Sequence, residues 1–185
     1  MFKKYWKFFV IFWSVVLVGI IGVFVFFWLI SAGKLGFMPT FEELENPNNR
    51  FASEVYFADG PIMNRYFEKE NRKYIEYREI PQSVIDALIA TEDVRFYDHS
   101  GVDVRGLFRV AKGLLTANTS AGGGSTISQQ LAKMLFPRES DLNVFELVIR
   151  KFREWVIAVR LEKSYTKEEI LTMYFNTVDF GSNAF

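Results

Sequence analysis

The sequence predicts a mainly α-helical domain with a small β-hairpin near its N-terminus, following one transmembrane helix. Three observations carry this. An uncharged run of about 23 residues spans Phe8 to Ile30, enough to cross a hydrocarbon core of roughly 30 Å. Aromatic and β-branched residues flank Asp59-Gly60 as a hairpin would require. Beyond them, successive segments repeat apolar residues at helical spacing, several behind residues suited to capping a helix.

The anchor comes first. Lys3, Lys4 and Lys7 precede the apolar run, and Trp6, Trp13 and Trp28 lie near its ends. This pattern predicts a cytoplasmic tail over 1–7, a transmembrane helix over 8–30 and the remainder outside the cytoplasm. Ser31-Ala32-Gly33 would suit signal cleavage, but the run is longer than a typical signal core. Cysteine is absent, so no disulfide framework forms, and either redox compartment is compatible. The four bases before position 35 face no acid, which leaves 18 basic against 22 acidic residues outside, a net charge of −4. Bulk charge gives no indication of nucleic acid as a partner.

Residues 31–49 hold Gly33, Gly36, Pro39 and Pro47 and predict a juxtamembrane linker, with one helical turn at Phe41-Glu42-Glu43-Leu44. The hairpin is expected from Arg50 to Phe57 and from Asn64 to Tyr77. About 135 residues outside the membrane suit one domain with a single core.

Ile80-Pro81 then opens a helix whose apolar face is Val84, Ile85 and Leu88. Glu92 is four positions after Leu88. A continuous helix would turn its carboxylate toward the core, where ionisation is unfavourable and the pKa rises toward that of a general acid or base. If the helix instead ends near Ala90, Glu92-Asp93 is a solvated loop. The chain's only histidine, His99, follows closely.

Gly122-Gly123-Gly124-Ser125-Thr126 leads into a helical segment with Ile127, Leu131 and Leu135 on one side. Free amides at a helix start favour anions, the hydroxyls add donors, and Lys133 adds charge. The alternative is a loop before an ordinary Ser/Thr-capped helix. A nucleotide P-loop does not fit, because no lysine directly follows the glycine turn.

Asn143 to about Lys163 reads as a long helix with Asn143 as cap and Glu146 completing a capping box. Lys151 and Glu154 share a stripe with Leu147, Ala158 and Leu161, whereas pairing of Arg150 with Glu154 would leave only an exposed ion pair. From Arg105 to Lys167 there are eleven basic and five acidic residues. If their faces converge they suit a polyanion such as a pyrophosphate; otherwise they are solvated helix surfaces. A last helix is capped by Thr166 and Glu169, its core face made by Ile170, Leu171, Met173 and Tyr174, with Asn176 as the polar contributor at its end.

Four motifs in this order resemble the peptidoglycan glycosyltransferases of family 51, found as the N-terminal module of class A penicillin-binding proteins and as monofunctional transglycosylases. E-D-x-x-F-x-x-H-x-G is present as Glu92, Asp93, Phe96, His99 and Gly101. G-x-S-T-I-x-Q-Q is Gly123, Ser125, Thr126, Ile127, Gln129 and Gln130. R-K-x-x-E is Arg150, Lys151 and Glu154, and K-x-x-I-L-x-x-Y-L-N is Lys167, Ile170, Leu171, Tyr174 and Asn176, with Phe175 in place of leucine.

The resemblance implies a lysozyme-like glycosyltransferase domain over 50–185 that polymerises lipid II at the outer face of the cytoplasmic membrane. It implies Glu92 as general base, and Glu154, Lys151, Lys133 and Arg138 around the departing pyrophosphate. Ser125, Thr126, Gln129 and Gln130 would hold the donor, while Asp93, Phe96, His99, Arg150 and Asn176 would shape the substrate site. No cofactor is required, although a divalent cation, magnesium or manganese, would suit the pyrophosphate. Implied partners are lipid II, the nascent glycan, the membrane and cell-wall synthesis or division proteins. The family's pattern continues past its fourth motif, so the domain is expected to be C-terminally truncated here, without the fifth motif. The connection from Phe136 to Leu142 is longer than usual, which leaves Arg138's role open. Ser31-Ala32-Gly33-Lys34 fits S-x-x-K but lacks the companion motifs of a transpeptidase. Two other readings share some of these features: a membrane-anchored muramidase, and a non-catalytic module that binds lipid-linked glycan.

Overall fold

A helix without a charge between Phe8 and Ile30 has little to pair with in water, and α1 (Phe2–Ser31) accordingly exposes nearly every described side chain. Its Tyr5–Ser31 portion is long and apolar enough to cross a membrane by length and composition. The computed structural model describes residues 2–40, 43, 53–60, 62–66, 74–116, 123–136 and 143–178. The end of α1 is a Schellman turn: Gly33 takes φ +70°, its N–H donates to Ile30, and the Lys34 N–H donates to Leu29. Glu43 is the described residue of the expected turn at 41–44; its carboxylate accepts from the Thr40 N–H while its own N–H donates to Thr40 Oγ1.

Strands β1 (Ser53–Tyr56) and β2 (Ile62–Tyr66) pair antiparallel, with Ser53 opposite Tyr66 and Val55 opposite Asn64. Gly60 closes the turn at φ +106°, donating to Phe57 at 3.0 Å. Within the described residues the second strand runs over Ile62–Tyr66, and the expected strand does not extend to Tyr77. Residues 67–73 lie outside the described residues, and Tyr77–Glu79 is a 3₁₀ turn, because the Glu79 carboxylate accepts from the Glu76 N–H and folds the backbone back on itself.

Five helices follow: α2 (Gln82–Glu92), α3 (Val104–Leu115), α4 (Ile127–Leu135), α5 (Val144–Ser164) and α6 (Lys167–Thr177). Asn143 with Glu146 caps α5, and Thr166 with Glu169 caps α6, each by the expected reciprocal bonds. Pro81 takes the N-cap position of α2, one residue before its first turn.

The core surrounds α4, which packs on both α5 and α6. Ile127, Leu131 and Ala132 meet Ile157 and Leu161 of α5, Ile170, Leu171 and Tyr174 of α6, and Ile85, Leu88 and Phe96. Each fully buried Ile or Leu contributes about 1.5–3 kcal/mol. Val84, expected on the core face of α2, is 43% exposed; the face is carried by Ile85 and Leu88. Gly101 lies where the chain presses on α5. It holds φ +94°, and a Cβ there would sit 2.7 Å from the Ala158 carbonyl carbon, so only glycine fits.

Candidate active site

Glu92 is the last residue of α2. The helix runs through it as a continuous stripe requires, yet its side chain is exposed. The expected burial fails because the apolar face ends at Leu88 and Ile89, and the final turn projects beyond the core into a cleft. That cleft encloses about 360 Å³ between Glu92, Arg95, Asp103, Arg109, the extended segment 123–125 and Gln130. Gln130 Nε2 donates to Glu92 Oε2 at 2.7 Å, and the Tyr174 hydroxyl donates to Gln130 Oε1 at 3.1 Å. The amide is thereby oriented with its NH₂ toward the carboxylate. Burial raises the Tyr174 pKa and the Glu92 charge raises it further, so the phenol remains a donor.

Asp93 turns the opposite way and is buried. Its carboxylate accepts from the Ile127 N–H at the start of α4 (3.1 Å) and from His99 Nε2 (3.0 Å). The Gly101 N–H donates to His99 Nδ1 at 3.2 Å, so the ring proton is assigned to Nε2 and points at Asp93. At the same helix start Thr126 Oγ1 accepts from the Gln129 N–H and donates to the Gly101 carbonyl, which also accepts from Gln129 Nε2. Two amides that the sequence offered to a ligand anion are thus taken by the protein's own Asp93 and Thr126. What faces the cleft instead is the Gly123–Gly124 backbone and Ser125.

Ser125 links the cleft to α5. Lys151 Nζ donates to Ser125 Oγ at 3.0 Å and to Glu154 Oε2 at 2.9 Å. Glu154 is 8% exposed, with Ala158 and Leu161 buried on the same stripe, whereas Leu147 is exposed. Lys151 is therefore the described ion-pair partner of Glu154, at i,i+3 spacing. Arg150 is half-buried and Lys133 exposed. Arg138 lies outside the described residues.

Phe96 is fully buried beneath Lys167, whose Nζ stands 4.2 Å from the ring centroid. Asn176 is buried as well. Its Nδ2 donates to the Ile75 and Thr172 carbonyls and its Oδ1 accepts from the Ile75 N–H, so the amide clamps 74–76 onto α6 and is absent from the cleft lining.

In a comparison with known sequences, a family model described as transglycosylase matches residues 59–185. The chain belongs to the transglycosylase family. It is 37% identical to penicillin-binding protein 1A of Escherichia coli K12 over 148 residues, 80% of this chain and 17% of that protein. Penicillin-binding protein 1A of Neisseria gonorrhoeae is 34% identical over the same length, and that of Neisseria lactamica 35%, each with 80% of this chain and 18% of the relative covered. The chain spans about a sixth of the length of these curated relatives.

Three cleft residues, Arg109, Arg95 and Asp103, lie outside the site set that the sequence predicts. Arg109 Nη2 donates to the Gly123 carbonyl at 3.4 Å and carries positive charge to the glycine segment. It is four positions after Arg105, a spacing that marks the polar side of α3. Arg95 and Asp103 form an ion pair in the cleft wall. Burial opposes ionisation of Asp103, but the Arg95 hydrogen bond, the Gly106 N–H and the Arg95 charge leave its pKa below the ordinary carboxylate value. Nothing in the spacing of Arg95 and Asp103 announces that pair.

Proposed function

We propose that the chain is the lipid II polymerising module of a peptidoglycan synthase, with Glu92 as general base and the Ser125–Lys151–Glu154 side receiving the donor's diphosphate. The observation that carries the reading is a carboxylate held by Gln130 yet open to the cleft, opposite a glycine segment whose Ser125 is bonded to Lys151. Glu92 takes the proton from the acceptor sugar's 4-hydroxyl as that oxygen attacks the donor's anomeric carbon. The carbon–oxygen bond to undecaprenyl pyrophosphate breaks on the opposite face, giving inversion. Lys151 and Arg109 oppose the negative charge that builds on the leaving group. Among the described residues no three His, Asp or Glu side chains group as a metal site. Were a magnesium or manganese ion to take part, Glu154 would be the residue to hold it, and it would supply charge neutralisation at the diphosphate.

The lipid carrier directs the reaction to a bilayer surface, since withdrawing it from the membrane costs about 0.8 kcal/mol per CH₂. The apolar α1 supports a single-pass anchor in the cytoplasmic membrane with the cleft outside. Exposed apolar residues on α3 (Val104, Phe108, Leu115) and at the start of α5 (Val144, Phe145, Val148) support a second contact with lipid.

The test supplies labelled lipid II to the native protein and to Glu92→Gln. Glycan polymer from the parent, reduced about 10²–10⁴-fold in the variant, is the expected result. Shortening of preformed glycan would make the chain a muramidase instead, and lipid II binding without turnover would make it a binding module.

A further inference from the structure

Outside the cleft, one buried polar cluster has no part in the chemistry above. Glu162, near the C-terminal end of α5, has a side chain only 4% exposed. Its carboxylate receives two helices at once: Ser128 Oγ of α4 donates to Oε1, and Lys167 Nζ, the first residue of α6, lies 2.8 Å from Oε1 and 2.7 Å from Oε2. Lys167 also donates to the His99 carbonyl at 2.8 Å and covers the Phe96 ring. Three helices and the turn that follows Glu92 are thus joined at a single ion pair.

A buried ion pair is a poor device for stability alone, because apolar side chains of the same volume serve as well or better. Its bonds, however, are directional. The segment that Lys167 grips bears the imidazole that holds Asp93, and Asp93 both follows Glu92 in the chain and caps α4, which carries Gln130. None of Ser128, Glu162 or Lys167 lines the cleft.

We propose that Lys167, Glu162 and Ser128 form a buried clasp whose role is positional: it fixes the His99 turn against α4 and so sets Glu92 relative to Gln130 and Ser125. The proposal rests on the glycosyltransferase reading for its kinetic consequence, but not for its structural one. These are positioning residues, acting through His99 and Asp93.

The test has two arms. In the native protein, Glu162→Gln keeps the shape but leaves the half-buried Lys167 without its counter-charge. The expected result is a loss of about tenfold or more in kcat, as a misplaced catalytic group would give, with KM changed less than about threefold. Lys167→Met is expected to lose kcat to a similar extent, and Lys167→Arg, which retains the charge, to lose less. In the 185-residue chain in detergent micelles, His99 is the only histidine, so its imidazole ¹⁵N and ¹H signals need no assignment. The parent is expected to show the Nε2–H tautomer, and Glu162→Gln to move that signal while the helical circular dichroism is retained.

Should Glu162→Gln not fold, Ser128→Ala removes a single hydroxyl and is expected to shift the same resonance and lower kcat about two- to fivefold. A folded Glu162→Gln or Ser128→Ala with the parent's kcat and an unmoved His99 signal overturns the proposal. A parent that makes no polymer overturns the glycosyltransferase reading, and the His99 resonance then decides the clasp independently.

Discussion

Glu92 has its carboxylate held at one oxygen while the side chain stays open to the cleft, a combination that a core-facing acid could not offer. Its orientation passes through Gln130 to a buried phenol. Tyr174→Phe removes only that hydroxyl. It is expected to lower kcat several-fold with KM little changed, and to reduce unfolding stability by about 1 kcal/mol; steady-state turnover of lipid II and thermal melts check both. An unaltered kcat would mean that Gln130 holds its orientation without Tyr174. The other residue-scale prediction concerns Asp103, whose folded pKa is depressed by Arg95 and Gly106 despite burial. A depressed carboxyl contributes stability that is complete above its unfolded pKa, about 3.9, and is lost as the pH falls through the lower folded value. The melting temperature of the parent should therefore drop more steeply from pH 6 to pH 3 than that of Asp103→Asn. Equal slopes would show that the Arg95 pair adds nothing to acid stability.

Among the elements, α4 is the one around which the site is built, and Gly101 is the position that lets the first-motif turn reach it. Gly101→Ala asks a residue with a side chain to hold φ +94° and to overlap the Ala158 backbone. The backbone conformation alone costs about 1–3 kcal/mol, and the overlap adds to it. A fall of several degrees in melting temperature, measured by circular dichroism, is the expected result. A melting temperature equal to the parent's would mean that α5 yields at Ala158. The helices were legible in the sequence because caps and apolar stripes are local: Asn143 with Glu146 and Thr166 with Glu169 close where spacing predicts. The hairpin's turn was legible at Asp59-Gly60 for the same reason, whereas the expected strand could not reach Tyr77, where Glu76 and Glu79 favour a tight turn. What spacing could not reveal was direction at the ends of elements. Val84 and Glu92 occupy positions that a helical wheel assigns to the core, yet neighbouring segments cover only Ile85 and Leu88. Likewise the amides starting α4 read as an anion site until Asp93, thirty-four residues earlier, is found bonded to one of them.

The whole molecule joins an apolar helix to a helical domain, and the joint itself is built from specific contacts. Phe26 and Phe27 meet the edge and face of Phe152 at centroid distances of 5.3 and 5.6 Å, and Ile30 is buried. Nearly two turns beyond Glu154 on the same α5, Arg160 donates to the Ser31 carbonyl and hydroxyl at 2.8 Å and to the Pro39 carbonyl at 3.0 Å. A guanidinium is suited to this position because a helix C-terminus presents unpaired carbonyls and partial negative charge. The apolar helix is thereby docked on the helix that carries Lys151 and Glu154, so on the proposed function α1 would set how the cleft stands over the bilayer. Arg160→Ala should loosen that joint without touching the cleft. The chain has no cysteine, so spin labels at Trp28→Cys and Lys163→Cys report the α1–α5 distance cleanly; a broader distribution is expected in Arg160→Ala. In the native protein the same substitution should lower polymerisation several-fold with lipid II in liposomes and leave it nearly unchanged in detergent, where the substrate is not confined to a plane. Equal losses in both media would assign Arg160 to domain stability and leave the anchor a tether.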